Sequence, residues 1–142
     1  MSSQFDHEKL RAYQQALEFV GFVGPVLDGL AGKIAAKDQL DRASTSVVLN
    51  LAEGNGKRSH PDRCRFFDIA RGSAVECAAC LDVLVVRGRI EAATADEGKT
   101  MLLGVVSMLA GLIARFGGRA ENVVNEEQAD YGVEDLVENE ND

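Results

Sequence analysis

Apolar side chains recur at intervals of three and four residues along most of this chain, which is the spacing that places them on one face of an α-helix. Near the N-terminus the spacing is followed by Leu10, Tyr13, Leu17 and Val20. No segment alternates apolar and polar residues convincingly, and the turn signals of β-hairpins are missing, so strands find little support. The pattern therefore predicts an all-α fold.

Residues that start and stop helices divide the pattern into four predicted helices, over residues 6–24, 38–54, 60–87 and 95–116. Asp38 and Ser59 are suited to cap the second and third helices, and Gly88 is suited to stop the third. Gly24-Pro25 interrupts the first helix, and residues 25–37 either extend it beyond a kink or form a connection. Short connections between long helices favour an antiparallel up-and-down four-helix bundle.

The third and fourth predicted helices each carry one apolar stripe that we expect to face the core. In the third helix the stripe consists of Phe66, Phe67, Ala70, Ala74, Cys77, Leu81 and Leu84. In the fourth helix, which we expect to end at Gly117-Gly118, it consists of Met101, Leu102, Val105, Met108, Leu109, Leu112 and Ile113. Core packing accounts for the two methionines better than a ligand pocket does.

The second predicted helix carries a polar stripe beside its apolar one. The polar stripe consists of Gln39, Arg42, Ser46, Asn50 and Glu53. One interpretation is an ordinary solvent-facing surface. The other is an interface in which these groups bond to another helix or subunit, because a buried polar group left unpaired costs about 1–3 kcal/mol.

The third predicted helix contributes further polar candidates for such an interface, namely Arg71, Ser73 and Glu76. Arg71 and Glu76 are five positions apart and point about 140° away from each other, so they cannot pair within one helix. We therefore hypothesise that Arg71 or Arg42 pairs with Glu53 or Glu76 of a neighbouring helix or subunit.

Charge is distributed unevenly along the 142 residues. The net charge is −8, yet residues 121–142 contain nine acids and no lysine or arginine, which leaves 15 basic and 14 acidic residues in 1–120. We expect residues 121–142 to be a disordered acidic tail, because they contain few large apolar groups. Three roles stay open for the tail: a solubilising brush, a docking strip for a basic protein, or a mimic of nucleic acid that shields the protein's own arginines.

A local basic cluster surrounds the turn between the second and third helices. It consists of Lys57, Arg58, His60, Arg63 and Arg65. Such residues make the phosphate contacts of nucleic-acid-binding proteins, although solvated helix ends are an equally simple explanation. Aromatic side chains for base stacking are scarce, because Phe66 and Phe67 are expected in the core.

The residues offer little support for catalysis or metal binding. His7 and His60 are far in sequence from the candidate nucleophiles, and no phosphate-binding loop follows a strand. Cys77 and Cys80 form a single CxxC pair, whereas zinc needs four ligands. We expect no enzyme activity, no cofactor and no metal. The absence of a signal sequence and of an uncharged 18-residue run predicts a cytoplasmic protein without a membrane segment.

Two segments carry a family resemblance. Residues 38–54 resemble the pattern QLxRAxxSxxxNxAEG, and residues 66–76 contain a match to ARGSxxE. Together they resemble the bacterial four-helix-bundle family that is named for proteins encoded by intervening sequences in 23S rRNA genes and that includes the accessory protein of diversity-generating retroelements. The resemblance covers about residues 33–90, and the first and fourth helices match by position only.

The resemblance implies an up-and-down bundle that assembles as a homopentameric ring around a central channel. Most members have no assigned activity, whereas the retroelement accessory protein binds nucleic acid and a reverse transcriptase through a strongly basic surface. The nearly neutral body of this chain departs from that pattern. We expect binding of RNA or DNA through Lys57, Arg58, Arg63 and Arg65; the alternative is a scaffold or adaptor for a reverse transcriptase or RNA-processing partner, without nucleic-acid contact.

Overall fold

The computed structural model describes the backbone of residues 4–132 and the side chains of residues 4–117. A short 3-10 helix at Asp6–Lys9 precedes four α-helices: α1 (Arg11–Asp28), α2 (Ala35–Gly56), α3 (His60–Val86) and α4 (Ala92–Gly132). No strand occurs between residues 4 and 132. The predicted all-α fold of four helices is confirmed.

Each helix packs against two others, in the cyclic order α1, α2, α3, α4 among the described residues. Near the start of α3, the Cys64 thiol donates a hydrogen bond to the Ile113 carbonyl of α4, with 3.6 Å between sulfur and oxygen. Near the end of α3, Asp82 accepts a hydrogen bond of 2.6 Å from Lys99, at the start of α4. The start of α3 therefore contacts the middle of α4, and the end of α3 contacts the start of α4.

The core lies between the four helices and is almost entirely apolar. From α3 it contains Phe67, Ala70, Ala74, Cys77, Leu81 and Leu84, and from α4 Leu102, Val105, Leu109 and Ile113, all buried as predicted. The two predicted core methionines, Met101 and Met108, are half-buried and pack against this cluster. Because both stripes face inward, the helical period in the sequence is enough to orient α3 and α4.

Helix α1 continues through Pro25 and ends at Asp28, so residues 25–28 extend the first helix, and the residues between Asp28 and Ala35 form the connection to α2. A proline removes one hydrogen bond and crowds the carbonyl four residues earlier, here that of Gly21. The helix needs only one more turn after this loss, and Val23 in the same stretch is buried in the core. Packing therefore outweighs the local cost of the proline.

The ends of α2 and α3 differ in how well the sequence predicts them. Helix α2 begins at Ala35, and its N-cap residue Ile34 makes no side-chain bond, so the prediction of Asp38 as the cap is wrong. Asp38 lies in the first helical turn, where its charge is favourable to the helix dipole. For α3 the prediction is confirmed, because the Asp62 amide donates to Ser59 Oγ at 3.2 Å. Gly88 follows α3 with a φ of 71°, a conformation that favours glycine.

Helix α4 begins at Ala92 and continues through Gly117-Gly118 to Gly132, so its predicted end is wrong. Each glycine costs a helix about 1 kcal/mol relative to alanine, and the alanine, glutamate and glutamine residues that follow are good helix formers. Residues 121–132 of the predicted acidic tail are consequently helical. Residues 133–142 lie outside the described part of the chain.

One segment of α4, Ala92–Gly117, is long and apolar enough by length and composition to cross a membrane, with a mean hydropathy of 1.7 over 18 residues, and no other segment in the described part of the chain is. Leu102, Val105 and Leu109 of this segment are buried in the bundle core. The core helix of a soluble protein meets the same test, so the absence of a membrane segment stays a prediction.

Candidate nucleic-acid interface

One end of the bundle collects the end of α2, the start of α3 and the part of α4 near Phe116. This end carries the four basic residues singled out from the sequence and one that the sequence reasoning missed. We call it the basic end, and it consists of Lys57, Arg58, Arg63, Arg65 and Arg115, with His60, Phe66 and Phe116 between them. The basic residues are exposed or half-buried, so they are accessible to a ligand.

Phe66 lies between two cations instead of in the core, so its predicted core position is wrong. Lys57 Nζ and Arg65 Cζ each lie 4.8 Å from the centre of its ring. The neighbouring Phe67 is fully buried, and consecutive residues of a helix point about 100° apart, so both rings cannot occupy the middle of one stripe. The half-buried Phe66 ring is therefore an aromatic surface at the basic end.

Phe116 forms a second cluster of an aromatic ring with cations. Arg63 Cζ lies 4.9 Å and Arg115 Cζ 5.2 Å from its ring centre, and the His60 ring meets it edge-on at 5.0 Å between centroids. The sequence analysis assigned no role to Phe116 or Arg115, which lie at the end of its predicted fourth helix. Phe116 follows Ile113 by three positions, and this spacing is the signal that could have placed it beside the core.

Only part of the positive charge at the basic end is neutralised. Lys57 pairs with Glu53 at 3.5 Å and Arg65 pairs with Asp62 at 3.6 Å, and both are exposed pairs of the kind that contributes at most about 1 kcal/mol. No described carboxylate lies within 4.0 Å of the remaining three guanidinium groups, those of Arg58, Arg63 and Arg115. The basic end therefore has cations that can bind phosphate without first losing a strong partner.

Three polar residues of the family resemblance are brought together where α2 meets α3. Ser46 Oγ and Ser73 Oγ are 2.8 Å apart and join the two helices. Asn50 donates its side-chain amide to Ser46 Oγ at 3.0 Å and to the Ser46 carbonyl at 2.9 Å. We call this surface the α2–α3 polar face; its residues are Gln39, Arg42, Ser46, Asn50, Glu53, Ser73 and Glu76.

The hypothesised ion pairs between helices are absent from the described part of the chain. Arg71 pairs with Asp68 of its own helix at 2.8 Å, and Arg42 donates to Gln39 at 3.2 Å. Glu53 pairs with Lys57 instead of with an arginine of α3. Side chains three or four positions apart on one helix can pair without any contact to a second helix. Pairs within one helix therefore form in preference to the hypothesised pairs between helices. Pairing of Arg71 or Arg42 across a subunit boundary stays a prediction.

The three cysteines are buried, and none is in a disulfide. Burial raises the pKa of the Cys77 thiol to about 12, with further contributions from Cys80 and Glu76. Burial, followed by Glu76, also raises the pKa of Cys80. A nucleophilic or metal-binding cysteine needs the opposite, a lowered pKa. Among residues 4–117, no group of three or more His, Cys, Asp or Glu side chains comes together that could hold a metal ion.

The raised pKa of Cys77 predicts a loss of stability at alkaline pH. Between pH 9 and 12 the unfolded chain carries the thiolate while the folded chain keeps the proton, so the free energy of unfolding falls as the pH rises, by up to about 1.4 kcal/mol per pH unit from this group. Urea unfolding of the wild type and of Cys77→Ala at pH 8, 9.5 and 10.5 measures it. The difference between the two proteins should shrink with rising pH, and a constant difference would contradict the assigned pKa.

A family model described as 23S rRNA-intervening sequence protein matches residues 8–111. The chain belongs to the 23S rRNA-intervening sequence protein family. The part that matches this family includes the α2–α3 polar face and residues 57–65 of the basic end, and it stops before Arg115 and Phe116.

One solved structure has a fold similar to that of this chain. It is the crystal structure of a protein with unknown function from the S23 ribosomal protein family of Bacteroides thetaiotaomicron, with a TM-score of 0.68 and 20% sequence identity. The similarity covers 72% of this chain and 97% of that chain, and at this identity it concerns the fold alone. No curated protein matches the chain.

Proposed function

We propose that this member of the 23S rRNA-intervening sequence protein family is a non-enzymatic, cytoplasmic, homopentameric bundle that binds RNA or DNA through its basic end. The observation that carries the proposal is the pair of aromatic clusters at that end. Phe66 lies between two cations, and Phe116 lies between two arginines and His60. Cations that follow a phosphate backbone, combined with aromatic faces for stacking, are the two elements of single-strand binding.

The geometry at the basic end suits a ligand that offers both phosphates and bases. Lys57 and Arg65 have long, flexible side chains whose cationic groups each lie 4.8 Å from the centre of the Phe66 ring, and they hold only exposed carboxylate partners. A phosphate can replace those carboxylates at little cost, and a base can take the place of one cation on the ring. Arg58, Arg63 and Arg115 add charge that no described carboxylate neutralises.

We propose an antiparallel up-and-down order for the helices of each protomer. In α2 and α3, Ser46 meets Ser73 while the later Gly54 lies against the earlier Phe67. In α1 and α4, Gln15 donates to the carbonyl of Met101, and Gly98 lies against Phe22. In both pairs a later position on one helix meets an earlier position on the other. These contacts support antiparallel neighbours.

We propose that the protomers assemble through the α2–α3 polar face. Apolar side chains on or beside this face are exposed in the isolated protomer: Leu49 is 60% exposed, Ile69 44% and Val83 43%. Exposed apolar groups beside partly satisfied polar ones are typical of interfaces between subunits. A ring in which five copies share this face would place five basic ends on one side of the assembly. Together they would form a larger positively charged binding surface than one protomer offers.

Fluorescence anisotropy with a labelled single-stranded RNA and the same sequence as DNA tests the binding proposal with the full-length protein. We expect binding at 50 mM salt that weakens steeply as the salt concentration rises. A slope of log affinity against log salt near −3, equal for several sequences, would support contacts to the backbone. Absence of binding to both probes at 50 mM salt would overturn the proposal.

The assembly proposal predicts the effect of one substitution on the α2–α3 polar face. Leu49→Arg should convert an oligomer of about five times the 15.3 kDa protomer mass into a protomer, because it replaces an exposed apolar side chain at the shared surface by a long charged one that would have to be desolvated on assembly. Sedimentation velocity measures this. Leu103→Arg on α4, where Leu103 is 69% exposed, is the matched control and should leave the oligomer intact. A protomeric wild type, or dissociation by the control alone, would contradict the proposed surface.

A scaffold role without nucleic acid is the second candidate. It is favoured by the outward side of α4, where Leu103 is exposed beside small residues such as Ala110 and Ala114. A protein partner that covers this side, or a basic protein that binds the acidic tail, would make the chain an adaptor. Capture experiments after nuclease treatment separate the two candidates, because the adaptor should retain its protein partner and the nucleic-acid-binding protein should lose what it bound.

A further inference from the structure

The acidic segment of this chain is covalently attached at the basic end. Helix α4 contributes Arg115 and Phe116 to the basic end and then continues to Gly132. The family match stops at residue 111, so the segment beyond it belongs to a part of the chain that the family model does not describe. From residue 121 onward the sequence has nine acids and no lysine or arginine. Opposite charges are therefore joined by one helix.

We propose that residues 133–142 bind to the basic end and compete there with nucleic acid. We call these ten residues the terminal tail, and its acids are Glu134, Asp135, Glu138, Glu140 and Asp142. The inference rests on the proposed function and gives that function a regulation: the protein's own carboxylates occupy the phosphate-binding cations until a nucleic acid displaces them.

The distance that the terminal tail can span favours binding at the basic end over binding at the opposite end of the bundle. From Phe116 to Gly132 the helix advances sixteen residues, roughly 24 Å. Ten further residues span at most about 36 Å when extended, which is enough to return to the basic end. Along α3, the far end near Arg87 lies another 36 Å or so beyond Arg63, out of reach of the same ten residues.

Charge complementarity selects the same surface. Arg58, Arg63 and Arg115 have no carboxylate within 4.0 Å among the described residues, and guanidinium groups bind carboxylates through paired, charge-assisted hydrogen bonds. A short tether gives the terminal tail an effective concentration on the order of 1 mM. With an intrinsic dissociation constant of about 0.1 mM, the bound tail would weaken nucleic-acid affinity about tenfold.

Two full-length variants with equal net charge separate docking from a general effect of charge. The tail variant replaces the five acids of the terminal tail by their amides. The control variant carries Asp28→Asn, Asp38→Asn, Glu91→Gln, Asp96→Asn and Glu97→Gln, which all lie toward the far end of the bundle. At 50 mM salt we expect the tail variant to bind RNA about tenfold more tightly than the control variant, with the difference disappearing near 500 mM salt. Equal affinities would overturn the inference.

A second measurement needs no nucleic acid. A carbodiimide joins a carboxylate to a nearby lysine amine, and mass spectrometry identifies the linked peptides. We expect the terminal tail to link to Lys57, while the far-end lysines Lys33, Lys37 and Lys99 serve as internal controls. Links to Lys57 in a protein that binds no RNA or DNA would uphold the tail contact and refute the proposed function. Tail links that are absent or favour the far-end lysines would refute the tail contact, whatever the RNA result.

Discussion

Replacing four cations of the basic end by glutamine is expected to abolish most nucleic-acid binding. The variant carries Lys57→Gln, Arg58→Gln, Arg63→Gln and Arg65→Gln. Each phosphate contact to a single strand contributes about 0.7 to the slope of log affinity against log salt, so four contacts give a slope near −2.8. The wild type should therefore lose about 50-fold in affinity between 50 and 200 mM salt. The variant should bind weakly at 50 mM and show little further salt dependence.

A variant with the same change in net charge serves as the control. It replaces Lys33, Lys37, Arg87 and Arg89, which lie at the opposite end of the bundle. Glutamine at these positions should leave the salt slope close to that of the wild type, because long-range attraction beyond about 10 Å is screened at 0.1 M salt. If both variants lose affinity to the same extent, the binding follows net charge and the basic end is not its site.

Stacking can be separated from phosphate binding at Phe66. Phe66→Leu keeps an apolar side chain between Lys57 and Arg65 and removes the aromatic face. A stacked base contributes about 1–3 kcal/mol, so the affinity should fall by roughly 5- to 150-fold at every salt concentration while the salt slope stays the same. A parallel change in slope would mean that Phe66 acts only by positioning its two cations.

The sequence predicts most of the fold because the information is local and periodic. The core stripes of α3 and α4 follow from the 3.6-residue period, and the start of α3 follows from the capping geometry of Ser59. The wrong boundaries have two causes. Pro25 lies within α1 because packing of the same stretch outweighs the local cost of the proline, whereas Gly117-Gly118 lies within α4 because good helix formers follow the two glycines.

The candidate site is less predictable, since it depends on which helix ends meet. Lys57, Arg63 and Arg65 are visible in the sequence as a cluster, yet nothing local indicates that Phe116, about fifty residues later, lies against Arg63. The ion pairs of Arg71 and Glu53 are the opposite case. Each residue pairs three or four positions away on its own helix, and this spacing is visible in the sequence.

The other large expected effect concerns the contact between α2 and α3 at Gly54. A Cβ atom at this position would lie 2.9 Å from two ring atoms of the fully buried Phe67 and 3.0 Å from Phe66 Cβ. Gly54→Val should therefore reduce the free energy of unfolding by about 3 kcal/mol, because a filled core cannot accept the added methyl groups without displacing the ring. Urea unfolding at a fixed protein concentration measures the loss.

The same substitution at Gly111 separates crowding from helix propensity. Gly111 lies within α4 and a Cβ there would meet nothing within 4 Å, so Gly111→Val should be neutral or stabilise by a few tenths of a kcal/mol. If Gly111→Val destabilises as much as Gly54→Val, β-branching within a helix explains the result and the close approach to Phe67 does not.

A double variant tests whether the Phe67 ring is the group that Gly54 accommodates. Phe67→Leu alone removes ring atoms from a fully buried site and should cost about 1–3 kcal/mol. Combined with Gly54→Val, the smaller leucine leaves space for the new methyl groups, so the double variant should be at least about 1 kcal/mol more stable than the two single losses added together predict. Strict additivity would show that Gly54→Val acts on the backbone of α2 and not through the Phe67 ring.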